Sequence, residues 1–75
     1  MNQEMENGFR LNKANILKLV KRNGWTNRKL AKLLNISPSA VSMWTTGDRP
    51  DTLVLMKAIV RLFHGEPWDA LFLRD

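Results

Sequence analysis

Apolar residues recur three and four apart along most of this chain, and nowhere do they alternate with polar ones for more than a few positions. That spacing predicts helices and no strands. Ile16, Leu17, Leu19 and Val20 give the inner face of a first helix, opened by Asn12 or Asn15 and closed at Asn23–Gly24. Trp25 follows the break as a plug between helices. Thr26 carries the hydroxyl to cap a second helix, whose Leu30, Ala31, Leu33 and Leu34 face inward. Asn35 tolerates the left-handed conformation in which helices often end, and Ile36 turns back into the core. Ser37 caps a third helix, with Pro38 at its first helical position, where a missing N–H costs nothing. Val41 and Trp44, three apart, face inward, and Gly47 ends the helix.

Asp48-Arg49-Pro50 is a loop, after which Asp51 is predicted to cap a fourth helix from Thr52 to about Phe63. Leu53, Met56, Ile59, Val60 and Phe63 form its core stripe, widened by Val54, Leu55, Ala58 and Leu62. Only Lys57 and Arg61 are firmly polar, so this helix is predicted to be central and buried on more than one side. His64-Gly65 ends it. Pro67 opens a short fifth helix, and Trp68, Leu71 and Phe72 pack back. The predicted fold is all-α, a compact bundle of about five short helices. It occupies residues 9–75 as one domain, behind a disordered polar tail at residues 1–8. Phe9 and Leu11 fold back onto the core, and Arg10 between them can reach a phosphate.

Composition narrows the function. Seventy-five residues are near the low end of what one core stabilises unaided. There is no cysteine for a disulfide or a thiolate metal site, and one histidine cannot build a metal site alone. The longest apolar run, Leu53 to Met56, is far too short to span a bilayer, and the N-terminus lacks the blocks of a signal peptide. The expected setting is a reducing cytoplasm. Ser37, His64 and Asp48 are triad residue types, but such residues occur in nearly every protein. With no phosphate loop, paired-carboxylate spacing or metal motif, no catalysis, cofactor or metal is expected.

Charge adds a direction. The formal net charge is +5, and its distribution is uneven. From Asn7 to Gly47 there is no acid but eight bases: Arg10, Lys13, Lys18, Lys21, Arg22, Arg28, Lys29 and Lys32. From Asp48 onward five acids meet four bases. A one-sided field of this kind suits a polyanion. A charge excess alone is more often a solvated face, but this acid-free basic stretch takes in the helix before the tight turn at Asn35–Ser37 and runs on to Gly47 without an acid. Helix, short turn, helix is the helix-turn-helix pattern, whose second helix can enter the DNA major groove.

The stretch LAKLLNISPSAVSMWTTGDRP resembles the helix-turn-helix of the Cro and phage-repressor family, the lambda-repressor-like type. Ala31, Ile36, Ser37, Val41, Ser42, Trp44, Gly47 and Pro50 carry the resemblance, which covers roughly residues 13–72. It implies a sequence-specific regulator of double-stranded DNA, phage or prophage encoded, acting by occupying an operator. The shortness of the chain favours the Cro type over a two-domain repressor. It also implies that Asn27, first in the second helix, holds a phosphate. On the residues alone it could equally face water.

Arg28, Lys29 and Arg49 are expected at the DNA backbone, with the amides near Asn27 and Ser37–Ser39 beside phosphate. Sequence reading falls to the outward face of the third helix: Pro38, Ser39, Ser42, Met43 and Thr45 or Thr46. Met43 is read as exposed there, the alternatives being core or a dimer contact. None of these is the Gln, Asn, Arg or Lys the family usually carries, and Asp48 stands where it often has a base. Specificity then shifts toward Asn27, Arg28, Arg49 and DNA shape. A homodimer contact is expected at the fifth helix and tail, through Trp68, Leu71, Phe72 and Leu73. Two other roles use the same fold: an antitoxin-like module that holds a protein partner, and a small recombination accessory factor such as an excisionase.

Overall fold

The structure, a computed structural model, describes residues 9–74; the predicted tail at residues 1–8 lies outside the described residues. The order is β1 (Phe9–Leu11), α1 (Lys13–Arg22), α2 (Asn27–Leu34), α3 (Pro38–Thr46), α4 (Leu53–Leu62), α5 (Trp68–Leu71) and β2 (Phe72–Arg74). The five helices are those the apolar spacing predicts. Helices α2 and α3 form the expected helix, short turn, helix pair.

Local chemistry sets the helix ends. Asn12, rather than Asn15, caps α1, accepting the Asn15 amide at 3.2 Å. Asn15 instead donates its side-chain amide to the Ala70 carbonyl at 2.7 Å, tying α1 to α5. The Thr26 and Ser37 hydroxyls accept the amides of Lys29 and Ala40, each at 3.1 Å. Asn35 and Gly47 take φ of 62° and 90°, the left-handed region that lets a chain leave a helix. One pair of bonds then closes all three of the first helices. The residue after the left-handed one donates five back, as Trp25 to Val20, Ile36 to Ala31 and Asp48 to Met43. The left-handed residue itself donates three back, as Gly24 to Lys21, Asn35 to Lys32 and Gly47 to Trp44. Orphan carbonyls at each C-terminus are thereby satisfied.

The core joins Leu11, Ile16, Leu19, Val20, Leu30, Ala31, Leu34, Val41, Trp44, Leu55, Ile59, Phe63 and Leu71. Ile36 and Trp25 pack on its margin. Trp25 lies 5.8 Å from the Phe63 ring, which makes it the expected plug between the ends of α1 and α4. Leu33 is exposed, so α2 turns only Leu30, Ala31 and Leu34 inward.

The C-terminal half departs further from the sequence reading. The chain is not purely helical, because β1 and β2 pair antiparallel in the register Phe9–Arg74, Arg10–Leu73, Leu11–Phe72. Three-residue strands hold too few alternations to show a period of two. Phe72 therefore belongs to a strand and not to the fifth helix. Leu71 is 3% exposed, a core residue rather than a dimer contact. Helix α4 is capped by Thr52, whose hydroxyl accepts the Leu55 amide, and not by Asp51. Its inward residues are Leu55, Ile59 and Phe63, with Met56, Ala58 and Leu62 beside them. Leu53, Val54 and Val60 are 57%, 71% and 44% exposed, so α4 is not buried on several sides. A helix apolar nearly all round has no local signal for its phase, and packing chose a face rotated from the expected one.

Candidate DNA-binding face

Helices α2 and α3 pack against each other, and Ala31 is buried in the α2 face that does so. Helix α3 is anchored from behind by Ala40, Val41 and Trp44, each at most 5% exposed. Its other side presents Pro38, Ser39, Ser42, Met43 and Thr46, all exposed, while Thr45 is half-buried. The choice between the two threonines thus falls on Thr46, and Met43 is a surface residue.

The hydroxyls on this face are not equivalent. Ser37 uses its oxygen to cap α3. Thr45 donates to the Ser42 carbonyl at 2.8 Å. Thr46 shares its proton between the Met43 carbonyl and the Asp48 carboxylate, both at 3.1 Å. Asp48, itself exposed, is held by Thr46 at the end of the face. Ser39 and Ser42 make no side-chain hydrogen bond among the described residues, which leaves their hydroxyls able to donate or accept.

The helix starts differ in the same way. In α2 the Thr26 hydroxyl and carbonyl take the amides of Lys29 and Leu30, leaving those of Asn27 and Arg28 at the open end. In α3 the amides of Ala40 and Val41 go to Ser37, and Pro38 has none. The amides of Ser37 and Ser39 are left there, so the Ser37–Ser39 stretch keeps two open donors at the start of α3. Asn27, Arg28 and Lys29 are all exposed, as are Lys18, Lys21, Arg22, Lys32 and Arg49.

Beyond the C-terminus of α3 the fold assembles a group that the sequence reading did not join. Arg10, Lys13 and Arg49 line one groove of about 580 Å³ with Asn12, Gly47 and Asp51. The Lys13 ammonium stands 5.5 Å from the centre of the Trp44 ring, within cation–π range. These residues are up to 41 positions apart, Arg10 to Asp51, so only the return of β1 beside the post-α3 loop could show their meeting. No group of three or more His, Cys, Asp or Glu able to hold a metal occurs among the described residues. No described helix is long and apolar enough to cross a membrane.

A helix held by its inner face beside a second helix, with short polar residues turned outward and cations around it, defines a helix-turn-helix DNA-binding protein. The Helix-turn-helix family model matches residues 16–63, and the chain belongs to that family, the DNA-binding regulators of Cro and phage-repressor type. No curated protein and no solved structure matches the chain.

Proposed function

We infer that the protein regulates transcription by occupying an operator, as a Cro-type factor of a phage or prophage, in the cytoplasm of a bacterial host. The observation that carries this reading is the division of α3: Ala40, Val41 and Trp44 buried, Pro38, Ser39, Ser42, Met43 and Thr46 turned out. Asn27, Arg28, Lys29 and Arg49 hold phosphates and supply salt-dependent, sequence-blind affinity. Ser39 and Ser42 donate to or accept from base edges. Pro38 and Met43 touch thymine methyl groups. Ser37 and Thr46 sit at the two ends of the reading helix, and their commitment to its backbone keeps it rigid. No charged or amide side chain reads bases from α3, so part of the specificity comes from DNA shape.

A homodimer covers two half-sites about 34 Å apart. With Leu71 buried, its contact uses Trp68, Phe72 and Leu73. Trp68 stacks on Phe72 at 5.1 Å and meets Phe9 edge-on at 4.8 Å, a partly exposed aromatic surface on α5 and the terminal sheet.

Selection of bound sequences from a random duplex pool tests the reading. A palindromic consensus with half-sites one turn apart is the expected outcome. Failure to retain duplex even at low ionic strength would overturn it. A second reading, capture of a protein partner in the manner of an antitoxin, draws on one observation. Leu53, Met56, Val60 and Phe72, with Lys57 and Arg61, line an apolar groove of about 480 Å³ far from α3 in sequence. DNA binding that is weak and insensitive to salt would favour this reading.

A further inference from the structure

Trp44 and Leu11 are 1% and 3% exposed, yet each brings a hydrogen-bond donor into the core. Buried donors need partners. Both find the same one. The Trp44 indole N–H donates to Asp51 Oδ1 at 2.7 Å, and the Leu11 backbone N–H donates to Asp51 Oδ2 at 2.7 Å. The second bond joins residues 40 apart in sequence and leaves β1 on the edge away from β2. Asp51 is free for this because Thr52 caps α4. The two donors face different oxygens, so an amide of this length would set its NH2 group against one of them.

We propose that Asp51 is a positioning residue for DNA reading. Its carboxylate fixes the roll of α3 by the far end of the Trp44 indole, and anchors that indole to the terminal sheet through Leu11. Lys13, over the indole ring, secures the same plate from another direction. Just past the sheet the ladder continues from the Asn12 N–H to the Leu71 carbonyl at 2.7 Å, and Asn15 ties α1 to α5 at Ala70. Reading a base edge needs side chains held within about 0.5 Å, which depends on a supporting set of hydrogen bonds behind them. Phosphate contacts by exposed lysines and arginines tolerate far more movement. The inference rests on α3 being the DNA-reading helix. It separates two quantities that a purely structural role would move together.

Asp51→Asn keeps the shape but sets an NH2 group against one of the two donors. The probes are a duplex selected by the wild-type protein from a random pool and sonicated mixed-sequence DNA, each titrated well below the unfolding transition. The expected result is binding about tenfold weaker on the selected duplex and less than about twofold weaker on mixed DNA. The Trp44 indole N–H resonance shifts while those of Trp25 and Trp68 stay. Trp44→Phe, which removes the donor and keeps a ring, shows the same selective loss. In the double variant the oxygen of the introduced amide serves Leu11, and its NH2 faces no donor. The loss there is therefore smaller than the product of the single losses.

Unchanged affinity for the selected duplex in a folded Asp51→Asn protein overturns the proposal. So does an equal loss on both DNAs that follows the fraction folded. Should Asp51→Asn not fold, Trp44→Phe decides alone by the same criterion. A wild-type protein that selects no sequence overturns the functional reading itself, which keeps the two failures distinct.

Discussion

The helix-turn-helix and the C-terminal half of this molecule are built by different means. In α2 and α3 each end carries its own signal: a Thr26 or Ser37 hydroxyl at the start, Asn35 or Gly47 at the finish. Each inner face is short and unambiguous. In the half made of α4, α5 and the two-stranded sheet, decisive contacts cross the chain. Asn15 reaches Ala70, Asn12 reaches Leu71, and β1 pairs with β2 at the opposite end of the sequence. Their surfaces differ too. The first half exposes serines, threonines and cations with Leu33 and Met43 among them, whereas the second leaves Leu53, Val54, Val60 and Trp68 exposed, Leu53 and Val54 the most. A unit with its own stop signals can present a small polar face in a defined place. A unit closed by long-range contacts carries apolar surface that a partner can still use.

The largest expected effect probes where the second half is rigid. Ile59 is fully buried, so Ile59→Ala should destabilise by about 2–5 kcal/mol, measured by urea unfolding. The same truncation at exposed Leu53 should cost under about 0.5 kcal/mol. Equal costs would return α4 to the central, many-sided burial that its composition suggests. Next comes the contact between α2 and α3. Ala31→Leu forces volume into the buried α2 face and should cost about 1–3 kcal/mol, with DNA binding lost in step.

Capping is a smaller effect and bears on the contrast most directly. Thr26→Ala and Ser37→Ala should each cost about 0.5–2 kcal/mol. Asp51→Ala should leave the N-terminus of α4 helical by NMR, because Thr52 and not Asp51 holds it. Fraying at Leu53–Leu55 in that variant would contradict the assignment. Smallest is the contribution of single cations at the interface. Arg28→Ala or Lys29→Ala should lower the slope of log affinity against log salt by about one unit, on every sequence alike. A slope that does not move takes those residues away from the phosphates.

Much of the candidate site was readable before any coordinates. The outward set on α3 follows from Val41 and Trp44 lying three apart, which places Ser39, Ser42 and Met43 on the opposite side. Only which threonine points out needed the structure, because residues 45 and 46 straddle the edge of the helical stripe. The role of Asp51 was misread for a good reason: an acid just before an apolar helix is an ordinary cap. Thr52 competes for that position, and the two N–H groups behind Asp51 come from residues 7 and 40 positions away. For Leu71 the sequence leaves both packing and a dimer contact open, because apolar residues near a chain end look the same whether they face the core or the surface; the fold buries it.

The amino-acid order by itself determined the three N-terminal helices, the turn at Asn35–Ser37, the family, and the face of α3 turned to solvent. All of these rest on interactions within about five residues, where backbone geometry and hydroxyl caps act without help. Tertiary structure alone decided the phase of α4, the pairing of β1 with β2, and the employment of Asp51. Each is a choice among locally equivalent options: which side of an apolar helix to bury, which edge of the chain to pair, which donor a carboxylate accepts. Only contacts between distant residues break those ties.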